Sequence, residues 1–374
     1  MKIVYCIHSL FNSGGMERIV IDKANYLAEV GYEIIFITTE QKHNSPFFKL
    51  NRAIQCFDLG INYSNDNKKN IFIKGVSFFV KQIKHKKLLS KLLFEIKPNI
   101  VVSTFGNEVT FLPNIKDGSK KILEIHFSKY FRIQLGRFGI RRLVDICRSY
   151  YDRIVVKRYD KFVVLTNEDK GYWGNLSNII IIPNFINMPI NVSSVENKVC
   201  IAVGRLSYQK NFQCLLNIWR VVVQRYPDWN LHIYGSGEER DRLLHKIELL
   251  NLNDTVTIYE PTSHIEDAYL QSSVYLLTSR YEGLPMVLLE SMSNGLPPIA
   301  FACKCGPRDL IKNHVNGFLI EENDIDDFSK KLMLLMSNSD LRVAMGKQAR
   351  LDVQNYSKET IMQKWSALFM SLND

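Results

Sequence analysis

No stretch of this 374-residue chain reaches the ~18 consecutive apolar residues that a membrane-spanning helix requires, which excludes a helical integral membrane protein. No secretory signal is expected from the opening residues. "MKIVYCIHSL" is a short apolar run with one Lys and reads as a first buried strand. Cysteine is sparse: Cys6, Cys56, Cys147, Cys200, Cys214, Cys303 and Cys305 are odd in number and scattered, and no two form a Cys-x-x-Cys pair. Cys303 and Cys305 have no partners at metal-ligand spacing, so a disulfide scaffold and a zinc site are both excluded, and the thiols read as reduced and cytoplasmic. The basic run His85–Lys87 lacks the interleaved aromatics or reader motif of a nucleic-acid binder. Asp324 and Asp326 match an Asp-x-Asp metal pattern but stand in "EENDIDDFSKKL", where a helix start accounts for them. No metal is assigned.

What is present describes a two-domain globular protein. The length exceeds one ordinary core, and 46% hydrophobic with 23% charged residues is a soluble composition. The net charge of +10 is unevenly spread: residues 1–170 carry 29 Lys and Arg against 16 Asp and Glu, the remainder 19 against 22. A basic first half is either a solvated surface or one that meets an anionic partner.

Strand-like and helix-like runs alternate along the whole chain. "KIVYCIH", "YEIIFITTE", "PNIVVSTF", "KKILEIH" and "KFVVLT" read as strands in the first half. The theme restarts after "IIIIPNFINMPI" with "KVCIAVGRL", "WNLHIYGSG", "DTVTIYE" and "SVYLLTS". Such alternation predicts α/β halves with doubly wound parallel sheets, joined near Pro183–Pro189, whose ligands bind at the carboxyl ends of the strands. "YSKETIMQKWSALFMSLND" is amphipathic, with Ile361, Met362, Trp365, Leu368 and Phe369 at helical steps.

The stretch "TSRYEGLPMVLLESMSNGLPPIA" carries two glutamates, Glu282 and Glu290, in a basic chain. A strand ends, "RYEGL" turns, Pro285 is expected as the first helical residue, and Gly295 ends the helix. Free N–H groups around Gly283, Leu284, Met286 and Val287 suit a diphosphate. A carboxylate beside an anion repels it unless it has another task, and vicinal sugar hydroxyls supply one. On spacing alone, a turn acid and a solvated helix residue remain the plainer reading. Arg205 and Lys210 in "VGRLSYQKN" combine a forked donor with a point charge. Gly235 and Gly237 in "IYGSGEE", and Gly14 and Gly15 in "HSLFNSGGMER", permit close backbone approach. His126 in "LEIHF" closes a strand, where a hydrogen-bonding role competes with a plain core histidine.

In this order, "VGRLSYQKN", "YGSGEE", "EGLPMVLLESMSNGLPPIA" and "CGPRDLI…NGFLI" resemble the retaining glycosyltransferases of family 4, and "NSGGMER" resembles the N-terminal loop of members that build bacterial lipid-linked oligosaccharides, capsules and O-antigens. The resemblance spans essentially the whole chain and implies the GT-B fold, two Rossmann-like domains facing across a cleft: an acceptor domain over 1–183, a nucleotide-sugar domain over 184–356, and a last helix, 357–374, crossing back onto the first. It implies that Glu290 holds the ribose and Glu282 the transferred sugar, that Arg205 and Lys210 grip the diphosphate with the backbone of Gly283, Met286 and Val287, that His126 touches the donor sugar, and that Gly15 lies under the phosphates. A UDP-sugar donor and no metal or other cofactor are expected. Pro261 departs from the family, which usually carries Gly there, near the base.

The basic half then has a use. "IKGVSFFVKQIKHKKLLSKLLFEIK" is a basic amphipathic helix with Lys81, Lys84 and Lys87, and Arg137 and Arg141 lie in a second basic run. Both are expected to dock a peripheral enzyme on the anionic cytoplasmic face of the inner membrane and to meet a polyprenyl-diphosphate-linked glycan acceptor. Packed helices with ordinary solvated faces are the competing reading. A nucleotide-sugar 2-epimerase on the same fold and a non-catalytic binding protein are the alternative functions.

Overall fold

The computed structural model describes residues 1–12, 14–66, 70–133 and 139–373. The chain forms two compact units. The first comprises Met1–Leu165, Lys170–Ile182 and Met362–Asp374, and the second Thr166–Asp169 and Pro183–Ile361.

In chain order the first unit contains β1 (Lys2–Ile7), α1 (Gly15–Glu29), β2 (Glu33–Thr38), β3 (Gln55–Asp58), α2 (Ile71–Ile96), β4 (Ile100–Ser103), β5 (Lys120–Glu124), α3 (Ile140–Val156), β6 (Lys161–Val164), the part of α4 (Asn167–Trp173) from Lys170 on, and β7 (Ile179–Ile181). Its sheet runs β3-β2-β1-β4-β5-β6-β7, every pair parallel. The central strands are continuous apolar runs because helices cover both faces, so alternate side chains have no water to meet. Val4, Ile35, Val101, Leu123, Phe162 and Trp173 form part of this core.

The second unit repeats the plan. It contains β8 (Val199–Val203), α5 (Phe212–Val223), β9 (Asn230–Tyr234), α6 (Arg240–Leu249), β10 (Val256–Tyr259), α7 (Ile265–Leu270), β11 (Val274–Leu277), α8 (Met286–Ser293), β12 (Pro298–Phe301), α9 (Pro307–Leu310), β13 (Phe318–Ile320), α10 (Ile325–Ser337) and α11 (Ser339–Val353). The sheet order is β10-β9-β8-β11-β12-β13, again parallel throughout. Strand order therefore reverses between β8 and β11, the switch point at which open α/β sheets take ligands.

The last helix, α12 (Lys358–Asn373), buries all five of its periodic apolar residues, Ile361, Met362, Trp365, Leu368 and Phe369. Asp324 caps α10 by accepting the Asp327 N–H at 2.9 Å, which accounts for the acidic cluster there.

Two strands escape the sequence pattern. β3 is an edge strand whose four residues are all exposed, so it lacks a buried apolar signature. β7 lies within the Ile179–Ile182 run, just before the expected junction near Pro183–Pro189, where the sequence pattern assigns no strand.

Candidate functional site

Three loops at the carboxyl ends of β8, β9 and β11 build the site of the second unit. The loop after β8 and the loop after β9 touch backbone to backbone. A Cβ on Gly235 would stand 1.9 Å from the carbonyl oxygen of Gly204, inside any permitted contact. The Leu206 N–H donates to Ser236 O at 2.8 Å, and the Glu239 N–H to Leu206 O at 3.0 Å. Gly235→Ala is expected to destabilise the second unit by about 3 kcal/mol, the upper end of overpacking costs. Urea unfolding measures this, and an unchanged midpoint contradicts the contact.

The loop after β11 is laced to the one after β8. The Arg280 N–H donates to Gln209 O at 2.8 Å, and its guanidinium donates to Asn211 Oδ1 at 2.7 Å and to Tyr208 O at 3.2 Å. The guanidinium also lies over the Tyr208 ring, 4.4 Å from its centroid. Sequence reading gave Arg280 no role. Its partners lie about seventy positions upstream, and no local signal marks them.

That lacing fixes the two groups expected to do chemistry. Lys210 Nζ stands 2.8 Å from Glu282 Oε1, with both side chains largely buried. Gln209 Nε2 donates to Tyr281 O at 2.9 Å and reaches Glu282 Oε2 at 3.5 Å, while the Glu282 N–H donates to Lys304 O at 3.0 Å. Glu282 is thus held from three sides, and the charge it would present to an anion is neutralised by Lys210.

Behind it α8 begins. Pro285, expected from sequence as the first helical residue, is instead the N-cap with extended backbone, φ −72° and ψ 96°, so the helix begins one residue later, at Met286. The ring fits either place because neither needs an N–H. Met286 and Val287 are half-buried, and the first turn contains no acidic residue. N–H groups at a helix start have no intrahelical partner, so this end favours an anion. Gly306 packs against the same turn with φ +96°. A Cβ there would meet Pro285 Cδ at 2.2 Å, so only glycine fits.

Glu290 stands one turn into α8, where Tyr269 donates its hydroxyl to Oε2 at 3.3 Å. Burial, reinforced by the Glu290 charge, pushes the Tyr269 phenol well above its usual range, so it stays a donor. Arg205 is exposed at the turn after β8.

The remaining candidates lie in the first unit. His126 follows β5, its side chain 6% exposed, with Nε2 3.4 Å from Glu124 Oε1. Gly15 opens α1, but Glu17 is buried in the first turn of that helix and accepts from Asn12 Nδ2 at 3.3 Å. That carboxylate opposes a phosphate at Gly15 while it stays there. A cavity of about 290 Å³ lies beyond β1 and β2, lined by His8, Tyr63, Asp66, Lys74, Phe78 and Asn107.

The basic helix sorts its lysines. Lys81 points inward, 2.5 Å from Asp66 Oδ2 and donating to Asn62 O at 2.7 Å, so it is not the free surface cation the sequence suggested. The reason is periodicity: Lys81 lies on the face carrying His85, which is buried, bonds Tyr63 Oη at 3.1 Å and packs edge-on against Phe111. Lys84, Lys86 and Lys87 are exposed. Ile73, Val76, Val80 and Ile83 form a stripe at three- and four-residue steps leading to Lys87, each more than half exposed. Arg137 lies outside the described residues, as does the side chain of Arg141. Among the described residues no helix is long and apolar enough to cross a membrane.

Comparison with known proteins gives a consistent set of relatives. The model of the family described as "Glycosyl transferases group 1" matches residues 185–352. A Haemophilus influenzae glycosyltransferase is 34% identical, covering 98% of this chain and 99% of its own. The amylovoran biosynthesis glycosyltransferase AmsD of Erwinia amylovora is 29% identical, with 98% of each chain covered. A Campylobacter jejuni α-1,4-N-acetyl-D-galactosaminyltransferase, whose name gives a diNAcBac-PP-undecaprenol-linked acceptor, is 25% identical over 100% of this chain and 99% of its own. Among solved structures, S. aureus TarM in complex with fondaparinux, α-GlcNAc-glycerol and UDP superposes with a TM-score of 0.79 at 20% identity, covering 98% of this chain and 99% of that one. The shared fold is GT-B, with two parallel-sheet Rossmann-like domains.

Proposed function

The chain belongs to the glycosyl transferases group 1 family and is a bacterial-type glycosyltransferase of polysaccharide or glycan assembly, and from that premise we propose a retaining transfer from a UDP-sugar to a polyprenyl-diphosphate-linked saccharide. The observation that carries the donor assignment is the Glu282–Lys210 pair set before a helix start whose first turn has no acid. Glu290 takes the ribose hydroxyls and Glu282 those of the transferred sugar. The backbone N–H groups of Gly283, Met286 and Val287 meet the diphosphate, with Lys210 and Arg205 as counter-charge in place of a metal ion. Lys210 has three donors, so it serves Glu282 and a phosphate oxygen together.

The reaction breaks the bond between the anomeric carbon and the diphosphate oxygen, with the electron pair leaving on the diphosphate. The acceptor hydroxyl attacks from the same face, and its proton passes to a leaving phosphate oxygen. Lys210, Arg205 and the α8 start are placed to stabilise the charge as it grows. His126 meets the donor sugar. The C. jejuni relative and the TarM–UDP complex support acceptor class and nucleotide respectively. Incubation with UDP-sugars and a lipid-linked acceptor, read by the anomeric proton coupling of the product, tests the reading. An inverted linkage contradicts retention, and product from a GDP-sugar alone contradicts the donor.

The α2 stripe gives this enzyme its peripheral membrane surface. Lys84→Ala with Lys87→Ala removes two charges worth about 1 kcal/mol each near an anionic surface. Recovery on anionic liposomes at low salt is expected to fall roughly thirtyfold in partition coefficient. Lys81→Ala, whose ammonium is committed to Asp66, is expected to leave partition unchanged. Equal effects of the two changes contradict the surface.

A further inference from the structure

The His126 side chain is buried, yet among the described residues neither ring nitrogen has a hydrogen-bond partner. Buried polar atoms of native proteins are nearly always paired, so a ring left open on both nitrogens calls for a ligand or for a neighbour that closes the last few tenths of an ångström. One neighbour is in place. Glu124 ends β5 and His126 lies two residues on, and the twofold alternation of extended chain puts both on the same side. Glu124 Oε1 stands 3.4 Å from His126 Nε2 and makes no hydrogen bond among the described residues.

The other oxygen of Glu124 is committed. Oε2 accepts from Lys23 on α1, a contact between two side chains each only 2% exposed. Lys23 is enclosed in turn: its ammonium lies 3.8 Å from the Trp365 ring centroid on α12 and 5.1 Å from that of Tyr5 on β1. A buried pair that served stability alone would direct both carboxylate oxygens at donors, since an unsatisfied one costs what the pair gains. Here only one is so used, and the second faces the imidazole.

We propose that Glu124 is a positioning residue that fixes the tautomer and orientation of His126, with Lys23 holding the carboxylate in its charged form and Trp365 sealing the lysine from water. A carboxylate can only accept, so the proton sits on Nε2 and Nδ1 is left as an acceptor for a hydroxyl of the donor sugar. This rests on the reading above that His126 meets that sugar. The contacts run from the last helix to His126 through Trp365, Lys23 and Glu124, all within the first unit.

Glu124→Gln is the discriminating change. Lys23 claims the amide oxygen, so the amide N–H₂ turns to Nε2 and demands its lone pair, which drives the imidazole to the Nδ1–H form. The experiment is long-range nitrogen–proton NMR on histidine-labelled protein, with the His126 signals assigned by their loss in His126→Gln. Wild type is expected to show the Nε2–H tautomer and Glu124→Gln the Nδ1–H tautomer. A wrong tautomer is known to be costly, and kcat is expected to fall by about a hundredfold while KM for the nucleotide sugar stays within about twofold. Glu124→Asp, which keeps the carboxylate, is expected to retain the Nε2–H form and recover part of kcat, and it serves if Glu124→Gln does not fold. The same tautomer in wild type and Glu124→Gln, or Nδ1–H in wild type or in Glu124→Asp, overturns the proposal. A wild type that turns over no nucleotide sugar defeats the transferase reading and leaves the tautomer comparison to decide this one.

Discussion

Glu282→Ala is expected to reduce kcat about a thousandfold while the protein still binds UDP. Two losses combine. The transferred sugar loses the carboxylate that orients it, and misplacement of a reacting group by about 1 Å costs on the order of a hundredfold. The Lys210 ammonium, released from its 2.8 Å contact with Glu282, is free to settle on the diphosphate in the ground state as well as in the transition state, and uniform binding does not accelerate the chemical step. Glu282→Gln separates the effects. The amide keeps the hydrogen bonds to hydroxyls but abandons the ion pair, and an intermediate loss of about tenfold to a hundredfold is expected. The check is single-turnover kinetics with saturating donor, beside the UDP Kd. A variant whose Kd for UDP rises as much as its rate falls places Glu282 on the nucleotide instead.

Lys23→Met is expected to be the most destabilising single change, by about 3–5 kcal/mol. Methionine matches the length and fills the space against Trp365 and Tyr5, so the loss arises from leaving Glu124 as a buried, uncompensated charge. The double variant Lys23→Met, Glu124→Gln removes that charge and is expected to recover most of the loss in urea unfolding. If the double variant is as unstable as the sum of the singles, the two residues do not form one unit. The same pair sets an acid limit. Burial works to raise the Glu124 carboxyl, but the charge of Lys23 and the contact with His126 outweigh it and hold the pKa at about 2, against an ordinary 4.5. A depressed carboxylate stabilises the folded state fully above its ordinary value and loses that contribution as pH falls through the folded one. Stability of the first unit is therefore expected to drop between about pH 4.5 and pH 2 more steeply in wild type than in the double variant.

The contrast between these two sites explains what the sequence could disclose. Glu282, Pro285, Glu290 and Gly295 lie within one strand–turn–helix segment, so their spacing already reports their geometry. The alternating strands did the same for the parallel sheets. Lys23 and Glu124 are 101 positions apart, and a lysine among the apolar residues of an amphipathic helix looks solvated until α12 closes over it. Arg280 was within the segment of interest, but its partners at Tyr208, Gln209 and Asn211 belong to another loop. On α2 the composition announced a basic amphipathic helix correctly, yet composition does not tell which lysine faces in. The buried carboxylate of Asp66 decides that for Lys81.

The measurement that bears most directly on the central claim is a thermal-shift panel of UDP, GDP and ADP on wild type and Glu290→Ala. A ligand that binds only the folded state stabilises it by mass action, about 2.7 kcal/mol at a hundred times Kd. UDP is expected to raise the melting temperature of wild type above either other nucleotide, and the shift is expected to vanish in Glu290→Ala. A chain that responds to no nucleotide, or whose response to UDP survives loss of Glu290, contradicts a UDP-sugar site at the start of α8.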